Sequence, residues 1–180
     1  MKRNVILYIA MSLDGYLADK YGGVDWLKGE NDDYTDDTSY QELLDEIDTV
    51  IMGYSTYNQV ANELSPDSWP YTGKKTYVLS HQMMDNKEDI EFVNESVIQL
   101  YTNLQIKKGK SIWVCGGSSV VSQFINEDLI DEYRIFIIPT ILGDGISLFS
   151  NIQQKTNLSC KSVTMSNGII RCVYSKSELK

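Results

Sequence analysis

Histidine and cysteine are scarce in this chain of 180 residues, which contains one histidine, His81, and three cysteines. Most metal centres need several well-placed nitrogen or sulfur ligands, and a catalytic triad needs a histidine base. Cys115, Cys160 and Cys172 are far apart and form no CxxC pair, so buried thiols in a reducing compartment are expected. These shortages exclude most metal and triad chemistry, and we expect no metal site.

Positive charge is also in short supply, since 16 lysines and arginines stand against 25 aspartates and glutamates and give a formal net charge of −9. Proteins that bind duplex nucleic acid need clustered lysine and arginine side chains to displace phosphate counterions. We therefore expect no nucleic-acid partner. An anionic cofactor would have to be held mainly by backbone N–H groups and a few local cations.

Long apolar runs are absent as well. No stretch approaches the roughly 20 apolar residues that cross a bilayer, and the apolar run before Asp14 is too short for a secretory signal. With 42% hydrophobic residues, the chain is long enough to bury one core but too short for two ordinary domains. The expectation is a single domain over residues 1–180, in the cytoplasm and without a membrane partner.

Strands and helices alternate along the sequence. Short β-branched runs predict strands, and amphipathic segments between them predict helices. Thr38 or Ser39 is expected to cap the first helix, with Glu42 completing a capping box. The alternation predicts an α/β fold whose mostly parallel sheet is covered on both faces and ends in an antiparallel C-terminal hairpin. The predicted strands are 4–10, 48–53, 75–80, 90–93, 111–115, 132–138, 162–165 and 169–175, and the predicted helices are 38–47, 55–63, 96–107 and 119–126.

A long acidic segment with several glycines, residues 11–37, is expected to be a functional loop, because structureless loops of this length are uncommon in compact domains. Its Asp14 can bind or protonate a nitrogen-rich heterocycle, and Trp26, beside Asp25, can pack over a planar ligand. The alternative is that Asp14 only forms an Asx-type turn and that Trp26 only fastens the loop to the core.

Two predicted strands end in glycine and lead directly into helices. Gly53 closes one strand, and Gly116 with Gly117 closes another. Glycine lets a pyrophosphate approach the main chain, and the N-terminus of a helix presents free N–H groups to an anion. Each turn alone is also explained as a tight strand-to-helix connection, but two of them favour a dinucleotide. The hydroxyl residues that follow are Ser55 and Thr56 in the first turn and Ser118 and Ser119 in the second.

Several segments occur in a fixed order: MSLDGYLA, VIMGYSTY, VLS, VCGGSSVVSQFI and IDEYRIFIIPTILGDGISLF, before a final hairpin. In order and spacing they resemble the dihydrofolate reductase-like superfamily. The most similar branch is the reductase domain of the bifunctional riboflavin-biosynthesis deaminase-reductase, with its stand-alone relatives. The resemblance spans nearly the whole chain. It implies a three-layer α/β/α fold and hydride transfer from NADPH to a small heterocycle, either a pterin or a ribosylaminopyrimidine.

The resemblance also implies where the cofactor binds. The dinucleotide would follow the two glycine turns, with its nicotinamide near the end of the first strand and its adenosine near the end of the third. The implied cofactor residues are Ala10, Leu17, Gly53, Tyr54, Ser55, Thr56, Ser80, His81, Cys115, Gly116, Gly117, Ser118, Ser119 and Val120.

For the substrate, Asp14 matches the acidic residue of the riboflavin branch and is the preferred catalytic carboxylate. The carboxylate of the folate branch would instead fall at Asp36 or Asp37, so Asp37 is kept as a substrate-binding candidate with Asp25 and Trp26. A non-catalytic nucleotide- or pterin-binding protein with the same fold is the alternative function. Relatives in the riboflavin branch associate through the C-terminal part of the sheet, which implies a homodimer.

Two positions depart from the family pattern. The family commonly has arginine where this chain has Tyr54, and often a basic residue where this chain has His81. Both positions serve the adenosine 2′-phosphate that distinguishes NADPH from NADH, and arginine suits that group because it binds in a bidentate fashion. NADPH remains the expected cofactor, with a weaker preference than usual, and NADH is possible.

Overall fold

The computed structural model describes residues 2–31, 33–34, 38–82 and 84–177. Asp36 and Asp37, two of the sequence candidates, lie outside these described residues. Within them the chain forms ten strands and four α-helices, and a π-helical segment, Val60–Leu64, continues the second helix. The strands are β1 (Val5–Ser12), β2 (Tyr16–Ala18), β3 (Ile47–Gly53), β4 (Lys75–Leu79), β5 (Ile90–Val93), β6 (Ser111–Gly116), β7 (Glu132–Ile138), β8 (Ile146–Ser147), β9 (Leu158–Ser166) and β10 (Ile169–Lys176), and the helices are α1 (Ser39–Glu46), α2 (Tyr54–Gln59), α3 (Val97–Gln105) and α4 (Ser118–Asn126).

Eight of these strands form one sheet in the order β5-β4-β3-β6-β1-β7-β10-β9. The first six strands in this order run parallel to one another. The hairpin β9–β10 adds to β7 in the antiparallel sense. Its turn is made by Asn167 and Gly168, both with positive φ (51° and 74°), as a tight type I′ hairpin requires. The predicted mostly parallel sheet with an antiparallel C-terminal hairpin is confirmed.

Helices cover both faces of the sheet. On one face, α3 and α4 bury Leu100, Leu104 and Phe124 against the sheet. On the other face, α1 and α2 bury Leu43 and Tyr57. The strands between them are apolar on both sides, as expected for parallel strands covered twice. The predicted three-layer α/β/α architecture is therefore confirmed. In the described part of the chain, no helix is both long enough and apolar enough to span a membrane.

Two local predictions are wrong. Thr38 is the N-cap of α1, but its backbone is helical (φ −89°, ψ −4°) and its side chain makes no capping bond. Its hydroxyl instead donates to the Glu42 carboxylate over 2.9 Å, so the predicted capping box does not form. A cap needs an extended backbone to turn its oxygen toward the helix N–H groups.

The segment after β1 is also more ordered than predicted. Strand β1 continues to Ser12, and β2 pairs with β8 in a small second sheet. Strands of two and three residues leave almost no periodic signal, which explains why the sequence indicated only a loop. This small sheet ties the chain after β1 to the segment after β7.

The packing of α4 generates a stability prediction. Phe124 is fully buried between α4 and the sheet. Phe124→Ala should lower the free energy of unfolding by about 3–5 kcal/mol, because the hydrophobic transfer energy of the ring is lost and a cavity is left behind. Ile98→Ala on α3 is the matched control, since Ile98 is exposed and should cost less than about 0.5 kcal/mol. Urea unfolding followed by circular dichroism measures both, and equal losses would contradict this packing.

Candidate functional site

A cleft of about 1350 Å³ opens at the carboxyl ends of the central parallel strands. Ala10 of β1, Gly53 of β3, Leu79 of β4 and Gly116 of β6 all line it. Strands β3 and β6 are neighbours, but the helices that follow them, α2 and α4, pack on opposite faces of the sheet. Such a switch point leaves a crevice between the two connections, and open α/β sheets bind their ligands there.

The two glycine turns face each other across this crevice. A Cβ added to Gly53 would lie 3.2 Å from Val120 Cγ2, and one added to Gly117 would lie 3.1 Å from Thr56 Oγ1. Gly116 has φ 141°, which favours glycine, and the Gly116–Gly117 peptide bond is cis. Little space for a side chain remains between the turns, so the main chain itself forms the wall of the crevice.

The start of α4 provides the polar part of this wall. The first N–H groups of a helix have no partner within the helix, and they carry the positive end of its dipole. The Ser118 hydroxyl donates to Ser147 O over 2.6 Å and lies 2.6 Å from Ser150 Oγ. The Ser118 side chain is thus used to hold the segment 146–151 against α4, and sequence reasoning missed this segment as part of the cleft.

Every residue that the sequence predicted for the cofactor lines the cleft. Because they come from five different strands or the segments directly after them, their convergence is a property of the tertiary structure. Their contact with a cofactor stays a prediction. At one end of this set, His81 Nδ1 lies 3.3 Å from Asn94 Oδ1. At the other, Leu17 lies on β2, which the small sheet holds beside the end of β1.

Asp14, the preferred catalytic carboxylate, does not line the cleft. Its carboxylate accepts hydrogen bonds from the Ser12 hydroxyl (2.6 Å) and from the backbone N–H groups of Leu142 (3.1 Å) and Gly143 (2.7 Å). These bonds, the one from Ser12 above all, lower the pKa of Asp14 to about 2. The carboxyl is therefore ionised at neutral pH and holds no proton to donate. This geometry fits the alternative in which Asp14 forms a turn. The carboxylate also binds the loop after β7.

The other substrate candidates are also placed away from the cleft wall. Asp25 is exposed, and the Trp26 indole N–H donates to Gly23 O over 3.1 Å, within its own loop. Their neighbours Val24 and Leu27 line the cleft instead. The Gln59 side chain donates to Gly22 O over 2.7 Å, so α2 holds this loop at the cleft. Asp37 lies outside the described residues.

Aromatic residues that sequence reasoning assigned to no site form the inner wall of the cleft. The Trp113 ring meets Tyr71 edge-on at 5.3 Å and Tyr8 at 6.1 Å between ring centroids, and all three line the cleft. Tyr8 lies two residues before Ala10, and that period-2 spacing places both on one face of β1. This spacing was the available signal, but aromatic residues in strands more often indicate only core packing.

Two polar groups at this inner wall keep their protons. The Tyr71 hydroxyl lies 3.8 Å from Cys115 Sγ. Burial raises the pKa of Tyr71 above its usual range and raises that of Cys115 to about 12. The charged form of each group is disfavoured because it would lose its hydration. The inner end of the cleft is thus uncharged at neutral pH and can offer hydrogen bonds without presenting an anion.

Comparisons with known proteins agree with this architecture. The chain is 36% identical to the uncharacterized protein YwjB of Bacillus subtilis (strain 168) over 178 residues, covering 97% of this chain and 98% of YwjB. It is 32% identical to the uncharacterized protein YyaP of the same organism, covering 96% of this chain and 95% of YyaP. These relatives are matched over nearly their whole length.

Solved structures extend the comparison. A Shewanella sp. PV-4 protein, named provisionally for riboflavin biosynthesis, has a TM-score of 0.86 and 31% identity, covering 99% of this chain and 100% of that one. The Thermotoga maritima diaminohydroxyphosphoribosylaminopyrimidine deaminase/5-amino-6-(5-phosphoribosylamino)uracil reductase has a TM-score of 0.71 and 18% identity. That match covers 98% of this chain and 57% of the Thermotoga chain, and it supports the fold alone.

The family comparison covers nearly the whole described chain. The RibD C-terminal domain matches residues 3–170, which include nine of the ten strands and the first two residues of β10. The fold, the order of the motifs and the three relatives above 30% identity agree with this match. The chain therefore belongs to the RibD C-terminal domain family, with the dihydrofolate reductase-like reductase fold that its sequence resembles.

Proposed function

We propose that this chain is an NADPH-dependent reductase that transfers a hydride to a small heterocycle in the cleft. Membership of the RibD C-terminal domain family supports a reductase-like role. The observation that carries the proposal is the pair of facing glycine turns at the ends of β3 and β6, because Gly53, Gly116 and Gly117 line the cleft without side chains of their own. A dinucleotide has a pyrophosphate that needs such an approach.

The residues of the cleft fit this cofactor. The pyrophosphate would lie against Gly116, Gly117 and the N-terminus of α4, where backbone N–H groups replace the missing cations. The nicotinamide would lie near Ala10 and Leu17, and the adenosine would lie near His81. When bound, the cofactor supplies the hydride, so the chain has to orient the two rings and exclude water.

Asp14 has a positioning role in this proposal. Its ionised carboxylate binds the loop after β7 through the N–H groups of Leu142 and Gly143. On the other side, Ser12 Oγ accepts from Tyr16 N over 2.9 Å at the start of β2. Asp14 thereby holds the strand that presents Leu17 to the cleft. A proton needed by the substrate would come from another group or from water.

The direct test is the absorbance of reduced nicotinamide with a panel of pterin and pyrimidinone acceptors. A steady decrease that depends on both protein and acceptor would support a reductase. Tight binding of NADPH without oxidation across the panel would instead support the non-catalytic nucleotide- or pterin-binding alternative. Fold alone does not decide between the two, because one fold hosts many functions.

Gly117→Val tests the assignment of the phosphate site. The valine side chain would enter the space beside Thr56 Oγ1 that the cofactor's pyrophosphate is proposed to approach. We expect binding of NADPH and of NADH to fall by at least about tenfold, or about 1.4 kcal/mol. Isothermal titration measures both constants, and thermal unfolding with circular dichroism checks the fold. Wild-type affinity in a folded variant would contradict this assignment.

Tyr54→Arg tests the placement of the adenosine end. Tyr54 begins α2 and lines the cleft beside Gly53. An arginine there should bind the 2′-phosphate and strengthen NADPH binding by about 1–3 kcal/mol, as a charge-assisted hydrogen bond does. NADH affinity should stay within about twofold, because NADH lacks that phosphate. Tyr54→Phe is the matched control and should change neither constant; an equal gain for both cofactors would contradict the placement.

We also propose that the chain forms a homodimer through the hairpin β9–β10. Within the C-terminal part of the sheet, the apolar strand β7 lies between β1 and β10, so its side chains are explained by burial within one chain. The edge strand β9 is different. Its Val163 and Met165 are 59% and 74% exposed and, at alternate positions, share one face of the strand. Exposed edges and apolar patches of this kind are commonly covered by a partner.

Light scattering tests the dimer. At micromolar concentration we expect a mass of about twice the chain's 20.5 kDa. Replacing Val163 and Met165 together with glutamate should give the monomer mass, because the charges would be buried at the interface. Ser162→Glu is the control, since its side chain points to the opposite face of β9. A wild-type mass near that of one chain would rule out the dimer.

A further inference from the structure

Cationic side chains are missing from the wall of the cleft. Among the described residues that line it, none is a lysine or an arginine. The carboxylates in that wall are those of Glu63 and Glu95, and His81 is its one imidazole. Glu63 is exposed on the π-helical segment after α2. In a chain of net charge −9, this wall offers an incoming anion two carboxylates and no permanent cation.

Two of the three arginines of the sequence are used in ion pairs away from the cleft. Arg3 donates to Asp48 and, over 2.7 Å, to the Thr49 hydroxyl, at the start of β3 and thus at the opposite end of the sheet from the cleft. Arg134 binds the carboxylates of Glu46 and Glu132. Arginine pairs of this kind are already neutralised, so neither guanidinium is available to a ligand.

Arg171 is the remaining arginine and has a different environment. Its guanidinium lies 5.8 Å from the centroid of the Phe136 ring, and Phe136 in turn pairs with Ala10 across β7 and β1. Arg171 is on β10, two strands beyond Ala10, and it does not line the cleft. The ion pairs of Arg3 and Arg134 exclude those two side chains from contact with a ligand. They do not exclude Arg171, so its contact with a ligand has to be tested by experiment.

The inner part of the cleft suits a flat, neutral ring. Tyr8, Tyr71 and Trp113 form its wall, and both Tyr71 and Cys115 hold their protons there. Aromatic walls bind planar ligands through stacked and edge-on contacts. A phosphate ester carries nearly two negative charges at neutral pH, and moving it from water to such a wall without a cation is unfavourable. The N–H groups at the start of α4 are occupied by the cofactor's pyrophosphate in the proposed function.

We infer that the substrate of this cleft is an uncharged planar heterocycle without a phosphate group, and that the cleft discriminates against the phosphorylated form of the same compound. The inference rests on the proposed reductase function for the position of the cofactor. It separates this chain from the Thermotoga protein, whose name specifies a phosphoribosylamino substrate. The specificity arises from the absence of cations in the wall rather than from a group that recognises the sugar.

Matched pairs of ligands test the inference by isothermal titration, with oxidised NADP saturating so that the cofactor's phosphate site is filled. The pairs are 5-amino-6-(ribosylamino)uracil with its 5′-phosphate, neopterin with its phosphate, and riboflavin with FMN. We expect at least one neutral compound to bind, and each that binds to do so at least about tenfold more tightly than its phosphorylated partner. Equal or tighter binding of a phosphorylated member, or millimolar affinity at best for all three neutral compounds, would overturn the inference.

Two charge variants test whether the lack of cations in the cleft wall causes the discrimination against phosphorylated ligands. Glu63→Lys adds a cation to the rim of the cleft and should improve binding of the phosphorylated members by about fivefold or more, with the neutral members changed by less than about twofold. Glu88→Lys makes the same change in net charge at an exposed position outside the cleft and should improve neither. Equal gains in the two variants would overturn the role of the wall.

Arg171→Gln completes the design. A wild-type preference for phosphorylated ligands that disappears in this variant would identify Arg171 as a phosphate site and overturn the inference. Because the readout is binding, it is separable from the proposed function. If the protein binds the neutral ligands but oxidises no NADPH, the inference is supported and the proposed reductase function is contradicted. If it oxidises NADPH only with a phosphorylated acceptor, the reductase function is supported and the inference is contradicted.

Discussion

The narrow gap between the β3–α2 and β6–α4 connections is the constraint on which the site depends. These strands are neighbours in the sheet, but their helices leave toward opposite faces, so the two turns separate just enough to form a crevice. A Cβ on Gly53 or Gly117 would approach atoms of the other turn at 3.1–3.2 Å. The same glycines that permit close packing of the turns also line the cleft, where they add no side chain to its wall.

The two ends of the sheet differ in the charged side chains that they carry. At the amino ends, Arg3 is buried against Asp48 and Thr49 and links β1 to β3. At the carboxyl ends, the described residues of the cleft wall include glycines, hydroxyl residues, aromatic rings and two carboxylates, but no lysine or arginine. An acidic chain can still bind an anionic cofactor in this way, because helix termini and main-chain donors supply partial positive charge at a defined place. The same arrangement leaves little to attract a second phosphate.

The motif around Asp14 was identified from the sequence, but the contacts of its carboxylate could not be predicted from it. Within SLDG, a carboxylate beside a glycine is compatible with a turn or with a catalytic group, and local sequence does not distinguish them. The structure gives this carboxylate three donors, two of them from Leu142 and Gly143 in a loop distant in sequence. These donors lower its pKa. They are in reach because β1 pairs with β7, which sets Ser12 opposite Ile138, and because β2 pairs with β8. Trp26 is a similar case, bonded within its own loop.

The sequence by itself determined the α/β class, the parallel sheet with its C-terminal hairpin, and the two glycine turns. These features depend on local patterns: runs of buried strand residues, turn residues such as Asn167-Gly168, and glycines directly before helices. Only the tertiary structure decided that α2 and α4 pack on opposite faces, that Tyr8, Tyr71 and Trp113 share one wall, and that the arginines lie outside it. Such facts join residues from strands far apart in the chain, and which side chains meet across a sheet is set by strand order and packing rather than by neighbouring residues.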